Sequence, residues 1–242
     1  MPLVVSESPL LYWLLASLLL YALGTNILWW VRRRAGGLGR SRSWLVHLAK
    51  FLYYLGIPYL ALGGWPRPPV TGLLSPGDMG LVTSNLSWPV TRWLDSAGTG
   101  FGLGFVSLLL LLLAWVQVGR STGFWLRFPR RPWFVPLVDV VYLEVHWSFY
   151  RGALFVLLGD FYTAVFVALG LIYLEWATSP FWRRGWQRET QVGVRWLRAA
   201  LALLMALIFI LTRNLWVCLA VHGLVELIFW RLASQPDTIV AG

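Results

Sequence analysis

Charge is scarce in this sequence. Only 12% of the 242 residues are charged and 58% are hydrophobic, whereas about a quarter of the residues are charged in an ordinary soluble domain. The composition therefore predicts an integral membrane protein rather than a soluble globular domain. Cysteine is also scarce, because Cys218 is the only one. A single cysteine excludes a disulfide framework within the chain and a cysteine metal cluster.

Acidic residues are fewer than basic ones, with 10 Asp and Glu against 20 Lys and Arg, for a formal net charge of +10. Basic residues that line one soluble face would indicate a nucleic-acid partner. Here nearly all of them lie in short runs between apolar segments, which is typical of membrane topology and of contact with anionic headgroups. We therefore expect membrane lipids, and no nucleic acid, as partners.

Seven apolar segments are candidate membrane spans, at about residues 9–31, 44–62, 101–119, 136–158, 161–179, 197–211 and 215–230, of which the sixth is short. They predict an all-α, polytopic bundle that forms one integral membrane domain over residues 1–242. The basic runs place the N-terminus outside and the C-terminus inside, and we expect a multi-pass protein of a bacterial cell membrane. Residues 63–100, rich in Pro, Gly, Ser and Thr, predict a long external loop, and residues 181–198 predict a cytoplasmic segment at the interface.

The fourth apolar segment contains ionisable residues where lipid is expected, namely Asp139, Glu144, His146 and Arg151. Each costs several kcal/mol in hydrocarbon, by order of magnitude, unless it faces other helices or water. The first helical turn explains Asp139, because a carboxylate is favourable near a helix N-terminus. The other residues predict a functional site at this depth.

Further ionisable residues fall in the same central slab of the bilayer if each residue rises about 1.5 Å along its helix. They are Glu175 on the fifth span and His222 and Glu226 on the seventh. His222 and Glu226 are four residues apart and share a helix face. His146 is about 200° around its helix from Glu144. One small pocket is therefore not expected to receive both His146 and Glu144.

Three chemistries are open to this set of residues. Imidazole and carboxylate groups can hold a divalent metal that activates water. A buried glutamate can act as a general base. The groups can also satisfy one another as structural ion pairs.

Two segments, WSFYRGAL and TRNLWVCLAVHGLVELI, resemble the CPBP family of membrane-embedded CAAX-processing and bacteriocin-protection endopeptidases. The first family motif is E-E-x-x-x-R, which usually continues into F-R-G or Y-R-G, and the last is H-x-x-x-N or H-x-x-x-D. Arg151 and Gly152 match the first motif, His222 matches the last, and Glu226 stands where Asn or Asp is usual. The resemblance covers about residues 135–232, which it marks as a CPBP-like helical core.

The resemblance also has departures. His146 and Trp147 stand at the positions of the glutamate pair, and Trp176 or Ala177 stands in place of the middle histidine, beside Glu175. In the family, as the resemblance implies, the glutamates activate water and the histidines hold the metal or stabilise the oxyanion. The departures predict a site that is lost, as in a pseudoenzyme, or rearranged.

A rearranged site predicts an intramembrane metal-dependent endopeptidase that acts on prenylated or transmembrane peptides. Its metal, such as zinc, would be held by His146, Glu175 and His222. Its catalytic residues would be Glu144, Arg151 and Glu226.

A lost site predicts a non-catalytic accessory or scaffold subunit of a larger membrane assembly, which contacts other membrane protein subunits, lipid, quinone or pigment. The 17 tryptophans suit such contacts as well as membrane interfaces. A third possibility is that His47, His146 or His222 ligates a haem or chlorophyll.

Overall fold

The structure, a computed structural model, describes residues 9–34, 43–62, 79, 88–122, 132–185 and 189–233. Regular structure in these residues is entirely helical, which confirms the all-α prediction. The helices are α1 (Pro9–Arg34), α2 (Ser43–Phe51), a π-helical segment (Leu52–Gly56), α3 (Ile57–Leu62), α4 (Val90–Thr122), α5 (Phe134–Leu158), α6 (Phe161–Thr178), α7 (Pro180–Gly185), α8 (Glu189–Thr212) and α9 (Leu215–Ala233).

Six helical stretches in the described residues are long and apolar enough to cross a membrane: Pro9–Arg34, Trp44–Leu62, Val90–Ser121, Phe161–Thr178, Val192–Thr212 and Leu215–Ala233. The chain is thus a multi-pass helical membrane protein. The remaining predicted span is α5, whose 25 residues extend about 37 Å at 1.5 Å per residue. Its charged side chains distinguish α5 from the six apolar stretches. The placement of the N-terminus outside and the C-terminus inside stays a prediction.

Helix α4 begins at Val90, so the prediction that residues 90–100 belong to an external loop is wrong. The helix starts after Pro89, whose carbonyl oxygen accepts hydrogen bonds from the N–H groups of Arg92 (3.0 Å) and Trp93 (3.3 Å). The glycines in this stretch lower its helix propensity. Packing of α4 against α8 and α9 outweighs that preference.

Helix α8 also begins earlier than predicted, at Glu189 rather than near residue 197. The segment 181–198, expected to lie at the interface, therefore contains most of α7 and the first turns of α8. Arg195 and Arg198 are half-buried. The long apolar stem of an arginine can lie along apolar surface within a helix.

The helices fall into two compact units. Unit 1 comprises the described residues of Met1–Ser87 and Tyr142–Arg183. In it, α1 packs against α3, α6 and the π-helical segment, and residues 146–154 of α5 are buried on every face. Apolar helices gain no hydrophobic free energy from one another in lipid, so packing and hydrogen bonds must hold this unit together.

Unit 2 comprises the described residues of Trp88–Val141 and Arg184–Gly242, and it contains a close crossing of α4 and α9. Gly100 and Gly104 of α4 are buried. A Cβ atom added to Gly100 would lie 2.1 Å from Cγ1 of Val217, and one added to Gly104 would lie 2.5 Å from Cγ1 of Val221. Small residues four positions apart on a helix let a neighbouring helix approach closely, and this pair does so at α9.

The other glycine pair of α4, Gly98 and Gly102, has the same spacing but is exposed. A Cβ atom at either position would meet nothing within 4 Å among the described residues. This pair therefore packs against no neighbouring helix among the described residues. The sequence spacing alone does not tell which helix face meets a neighbour.

Polar side chains cap two helices. Asp160 accepts a hydrogen bond from the N–H of Thr163 (2.7 Å) at the start of α6. Hydrogen bonds from Thr163 lower the pKa of the Asp160 carboxyl. Asn214 accepts from the N–H of Trp216 (3.0 Å) at the start of α9 and donates to Ser96 of α4 (3.3 Å). Such caps satisfy N–H groups that have no partner within the helix.

Candidate functional site

Five buried or half-buried polar side chains form one hydrogen-bonded cluster in unit 1, which we call the Tyr53 cluster: Ser17 of α1, Tyr53 of the π-helical segment, His146 and Tyr150 of α5, and Glu175 of α6. Tyr53 Oη lies 3.2 Å from Ser17 Oγ, 3.0 Å from His146 Nε2 and 3.1 Å from Glu175 Oε1. Ser17 Oγ also lies 3.1 Å from Tyr150 Oη. The cluster therefore joins three helices and the π-helical segment.

His146 and Glu175 are in direct contact within this cluster. His146 Nε2 lies 3.3 Å from Glu175 Oε2, and the two residues are 0% and 2% exposed. The sequence predicted both residues as members of one site, and the structure brings them together. Their contact crosses from α5 to α6, so it also joins the two helices.

The hydrogen-bond directions in the cluster follow from the number of protons available. Tyr53 has one hydroxyl proton, which it donates to Glu175. The Tyr53 oxygen must then accept a hydrogen bond from the Ser17 hydroxyl. It must also accept one from His146 Nε2 where it contacts the imidazole. It follows that Nε2 carries a hydrogen and that, in the neutral ring, Nδ1 has the free lone pair. Nδ1 is buried and has no hydrogen-bond partner among the described residues.

Aromatic rings enclose the imidazole of His146. The ring centroids of Tyr53 and Tyr150 lie 4.7 and 4.6 Å from it, that of Tyr54 lies at 5.3 Å in an edge-on arrangement, and that of Phe149 lies at 6.3 Å. These rings occupy the space around His146 that a macrocycle would need. His146 Nε2 is also already engaged by Tyr53 and Glu175. The geometry therefore does not favour His146 as the axial ligand of a haem or chlorophyll.

The π-helical segment positions Tyr53. The N–H of Ile57 bonds to the carbonyl of Leu52, five residues earlier. Pro58 follows directly, and a proline in a helix lacks an N–H group and crowds the carbonyl four residues before it, here that of Tyr54. A wider turn relieves this crowding, and such π-bulges are frequent at functional sites.

Glu144 and Arg151 form a separate buried ion pair on α5. Arg151 Nη2 lies 3.1 Å from Glu144 Oε2, and the guanidinium also donates through Nε to the carbonyl of Trp147 (3.2 Å). The side chains of Glu144 and Arg151 are 0% and 3% exposed. As expected from the helix geometry, Glu144 and His146 have different partners and do not share one pocket.

Met79 also contacts α5 within unit 1. Ser148, in the middle of α5, donates its hydroxyl to the main-chain oxygen of Met79, and Met79 is fully buried. Met79 lies in a turn within the stretch predicted to be an external loop, and its burial shows that this part of the stretch contacts the helices. A main-chain carbonyl at this depth needs a hydrogen-bond donor from the protein, and Ser148 supplies it. The rest of residues 63–87 lies outside the described residues.

The remaining predicted site residues, His222 and Glu226, belong to unit 2. They lie on α9 and are 1% and 5% exposed. Oε2 of Glu226 is buried and has no hydrogen-bond partner among the described residues. The roles predicted for His222 as a third metal ligand and for Glu226 as a catalytic residue stay predictions. His47, by contrast, is exposed on α2.

The described residues contain no group of three or more His, Cys, Asp or Glu side chains placed to hold a metal ion. In unit 1, His146 and Glu175 provide two donors, and both already bind Tyr53. A protein zinc site ordinarily needs at least three protein ligands. The donor set seen in the described part of the chain therefore does not fit such a site.

Three members of the Tyr53 cluster, namely Ser17, Tyr53 and Tyr150, were missed from the sequence. A serine or tyrosine in an apolar span is common and gives no charge signal. The one available sign was Pro58, which marks a local departure from α-helical geometry four residues after Tyr54.

Comparisons with known proteins give no further assignment. The sequence matches no known family model, no curated protein and no solved structure.

Proposed function

We propose that this membrane protein is a divergent relative of the CPBP endopeptidases that has lost peptidase chemistry and acts as a non-catalytic accessory or scaffold subunit. The observation that carries the proposal is that the predicted catalytic and metal-binding groups of unit 1 are bound to one another. Glu144 is paired with Arg151, and His146 is paired with Glu175. Each of the two carboxylates therefore has a buried partner within unit 1.

The residue types at the two sites support this proposal. In the family motifs, as the resemblance implies, the helix equivalent to α5 supplies glutamate and the helix equivalent to α6 supplies histidine. Here α5 supplies His146 and α6 supplies Glu175. Glu175 stands beside the position of the family's histidine rather than at it, so the pair of His146 and Glu175 does not reproduce the family's ligand set. An imidazole–carboxylate pair that joins the two helices supports a role in helix packing.

Stability measurements on exchanged variants test this role. We expect His146→Glu and Glu175→His each to destabilise the protein by about 3 to 5 kcal/mol, because each leaves like groups in contact or a buried charge without its partner. The double variant should recover a large part of that loss, because it restores an imidazole–carboxylate pair. Thermal unfolding in mild detergent and a double-mutant cycle measure the coupling between the two positions.

A peptidase assay tests the loss of catalysis. We expect the purified protein to release no product from prenylated CAAX peptides or transmembrane peptides above the level of a Glu144→Gln variant, with and without added zinc. Metal-dependent cleavage that disappears in a Glu144→Gln variant of unchanged helicity would contradict the proposal. An absence of coupling between positions 146 and 175 would contradict the packing role.

A further inference from the structure

The exposed face of α1 carries a stripe of apolar side chains that ends at a basic residue. Leu19, Leu23, Ile27 and Trp30 are 62%, 58%, 60% and 50% exposed. At 100° per residue these positions and Arg34 fall within about 80° of one another around the helix. From Leu19 to Trp30 the stripe is about 17 Å long. That length is close to the hydrocarbon depth of one leaflet, which is about 15 Å.

Guanidinium groups at this end of α1 are held against aromatic rings. The Arg34 Cζ atom lies 4.0 Å from the ring centroid of Trp30, and Arg33 lies 5.4 Å from that of Trp29. Arg32 lies 5.4 Å from the ring of Phe181 on α7. A guanidinium that rests its face on a ring keeps its in-plane N–H donors available for an anion. Arginine held in this way suits the oxygens of a phosphate.

None of the described carboxylates of unit 1 is paired with an arginine at this end of α1. The described residues of unit 1 include three carboxylates, of which Glu144 is bound to Arg151 and Glu175 to His146. The third, Asp160, caps the start of α6, about 27 Å of helix away from the end that leads into α7. Arg32, Arg33 and Arg34 form no ion pair with the described carboxylates. These three arginines therefore carry positive charge that an external anion can neutralise.

We propose that this surface is a binding site for one anionic glycerophospholipid, whose acyl chain lies along Leu19, Leu23 and Ile27 and whose phosphate binds Arg34 beside Trp30. The combination of an apolar stripe of leaflet length with an un-neutralised guanidinium at its end matches the two parts of such a lipid. Tryptophan suits the boundary between them, because indole is favoured at the headgroup level. The proposal does not depend on the loss of peptidase chemistry.

Native mass spectrometry of the full chain in mild detergent tests the site. The probes are phosphatidylglycerol and phosphatidylcholine with identical acyl chains, each offered at the same concentration. We expect phosphatidylglycerol to be retained more than phosphatidylcholine. Arg34→Gln should lower the retained phosphatidylglycerol about fivefold, the effect expected from one basic residue near an anionic headgroup. Trp30→Leu should also lower it, although the charge is unchanged.

Arg120→Gln is the matched control, because Arg120 is an exposed arginine in the last turn of α4. It removes the same charge from another helix end. Equal losses in Arg34→Gln and Arg120→Gln would show that only general surface charge acts and would overturn the proposal. Equal retention of the two lipids by the unaltered chain would also overturn it. Displacement of phosphatidylglycerol by inorganic phosphate at equal concentration would assign the site to a free anion instead. Circular dichroism of each variant checks that its helicity is unchanged.

Discussion

The crossing of α4 and α9 should tolerate a methyl group on one face of α4 and reject it on the other. Replacing Gly104 by alanine places a Cβ atom 2.5 Å from Cγ1 of Val221, well inside van der Waals contact. Valine is stiff at χ1 in a helix, so its methyl group cannot rotate away cheaply. The two helices must separate or the valine must adopt an unfavourable rotamer.

The size of the effect follows from two opposing contributions. Inserting a methyl group into a well-packed contact costs about 1 to 3 kcal/mol. Alanine is favoured over glycine in a helix by about 0.8 to 1.0 kcal/mol. We therefore expect Gly104→Ala to lower the free energy of unfolding by up to about 2 kcal/mol. Gly102→Ala, which meets nothing within 4 Å, should raise it by as much as about 1 kcal/mol.

Equilibrium unfolding in mixed micelles, followed by circular dichroism, compares the two variants directly. Gly102→Ala is a close control, because it changes the same residue type two positions away on the same helix. A Val221→Ala background provides a second control, since it removes the methyl group that the new Cβ atom would meet. In that background Gly104→Ala should cost little or become favourable.

Equal effects of Gly104→Ala and Gly102→Ala would refute the reasoning, because helix propensity alone would then explain both. An unchanged penalty in the Val221→Ala background would show that Val221 is not the obstacle. Either result would mean that α4 and α9 do not approach each other through this glycine.

Three further predictions concern polar groups. Glu144→Gln should lower the free energy of unfolding by about 3 to 5 kcal/mol, because it leaves the buried guanidinium of Arg151 without its counter-charge; thermal unfolding beside an exposed-site variant measures this. Asn214→Ala should cost about 1 kcal/mol through loss of the cap of α9, and the loss should be smaller in Asn214→Ser, which can still accept a hydrogen bond. Hydrogen bonds from Thr163 lower the pKa of the Asp160 carboxyl in the folded protein. The contribution of Asp160 to stability is therefore present above about pH 4, the ordinary pKa of an aspartate in the unfolded chain. It is lost as the pH falls through the lowered pKa of the folded state. Asp160→Asn should therefore flatten the acid side of the stability profile, and an unchanged profile would contradict this.

The sequence predicted the helical class well, because long apolar runs have few alternatives in a bilayer. It predicted helix ends less well. Residues 90–100 looked like loop on account of their glycines, yet Gly100 is needed there for close contact with Val217. From composition alone a glycine is counted as a residue that disfavours a helix. Its packing role here depends on a contact with another helix, which the local sequence does not reveal.

The candidate site was predictable only in part. Charged groups at one depth indicated that His146 and Glu175 belong together, since an isolated charge in the bilayer is costly. Ser17 and Tyr53 carry no such cost by themselves, so nothing in the sequence separated them from other polar residues in the spans. Their roles depend on how α1 and the π-helical segment meet α5, which is tertiary information.

The Tyr53 cluster explains why a wide helical turn is retained in a span that otherwise follows α-helical geometry. Tyr53 donates to Glu175 and accepts from Ser17, so it links α6 to α1 through one hydroxyl. A regular α-helix at residues 52–56 would rotate Tyr53 relative to the residues before it. Its hydroxyl would then no longer lie within hydrogen-bond distance of Ser17, His146 and Glu175 together. A buried carboxylate would then lose one of its hydrogen bonds in a medium that offers no replacement. The irregular turn is thus stabilised by the polar cluster, and the cluster in turn requires the irregular turn.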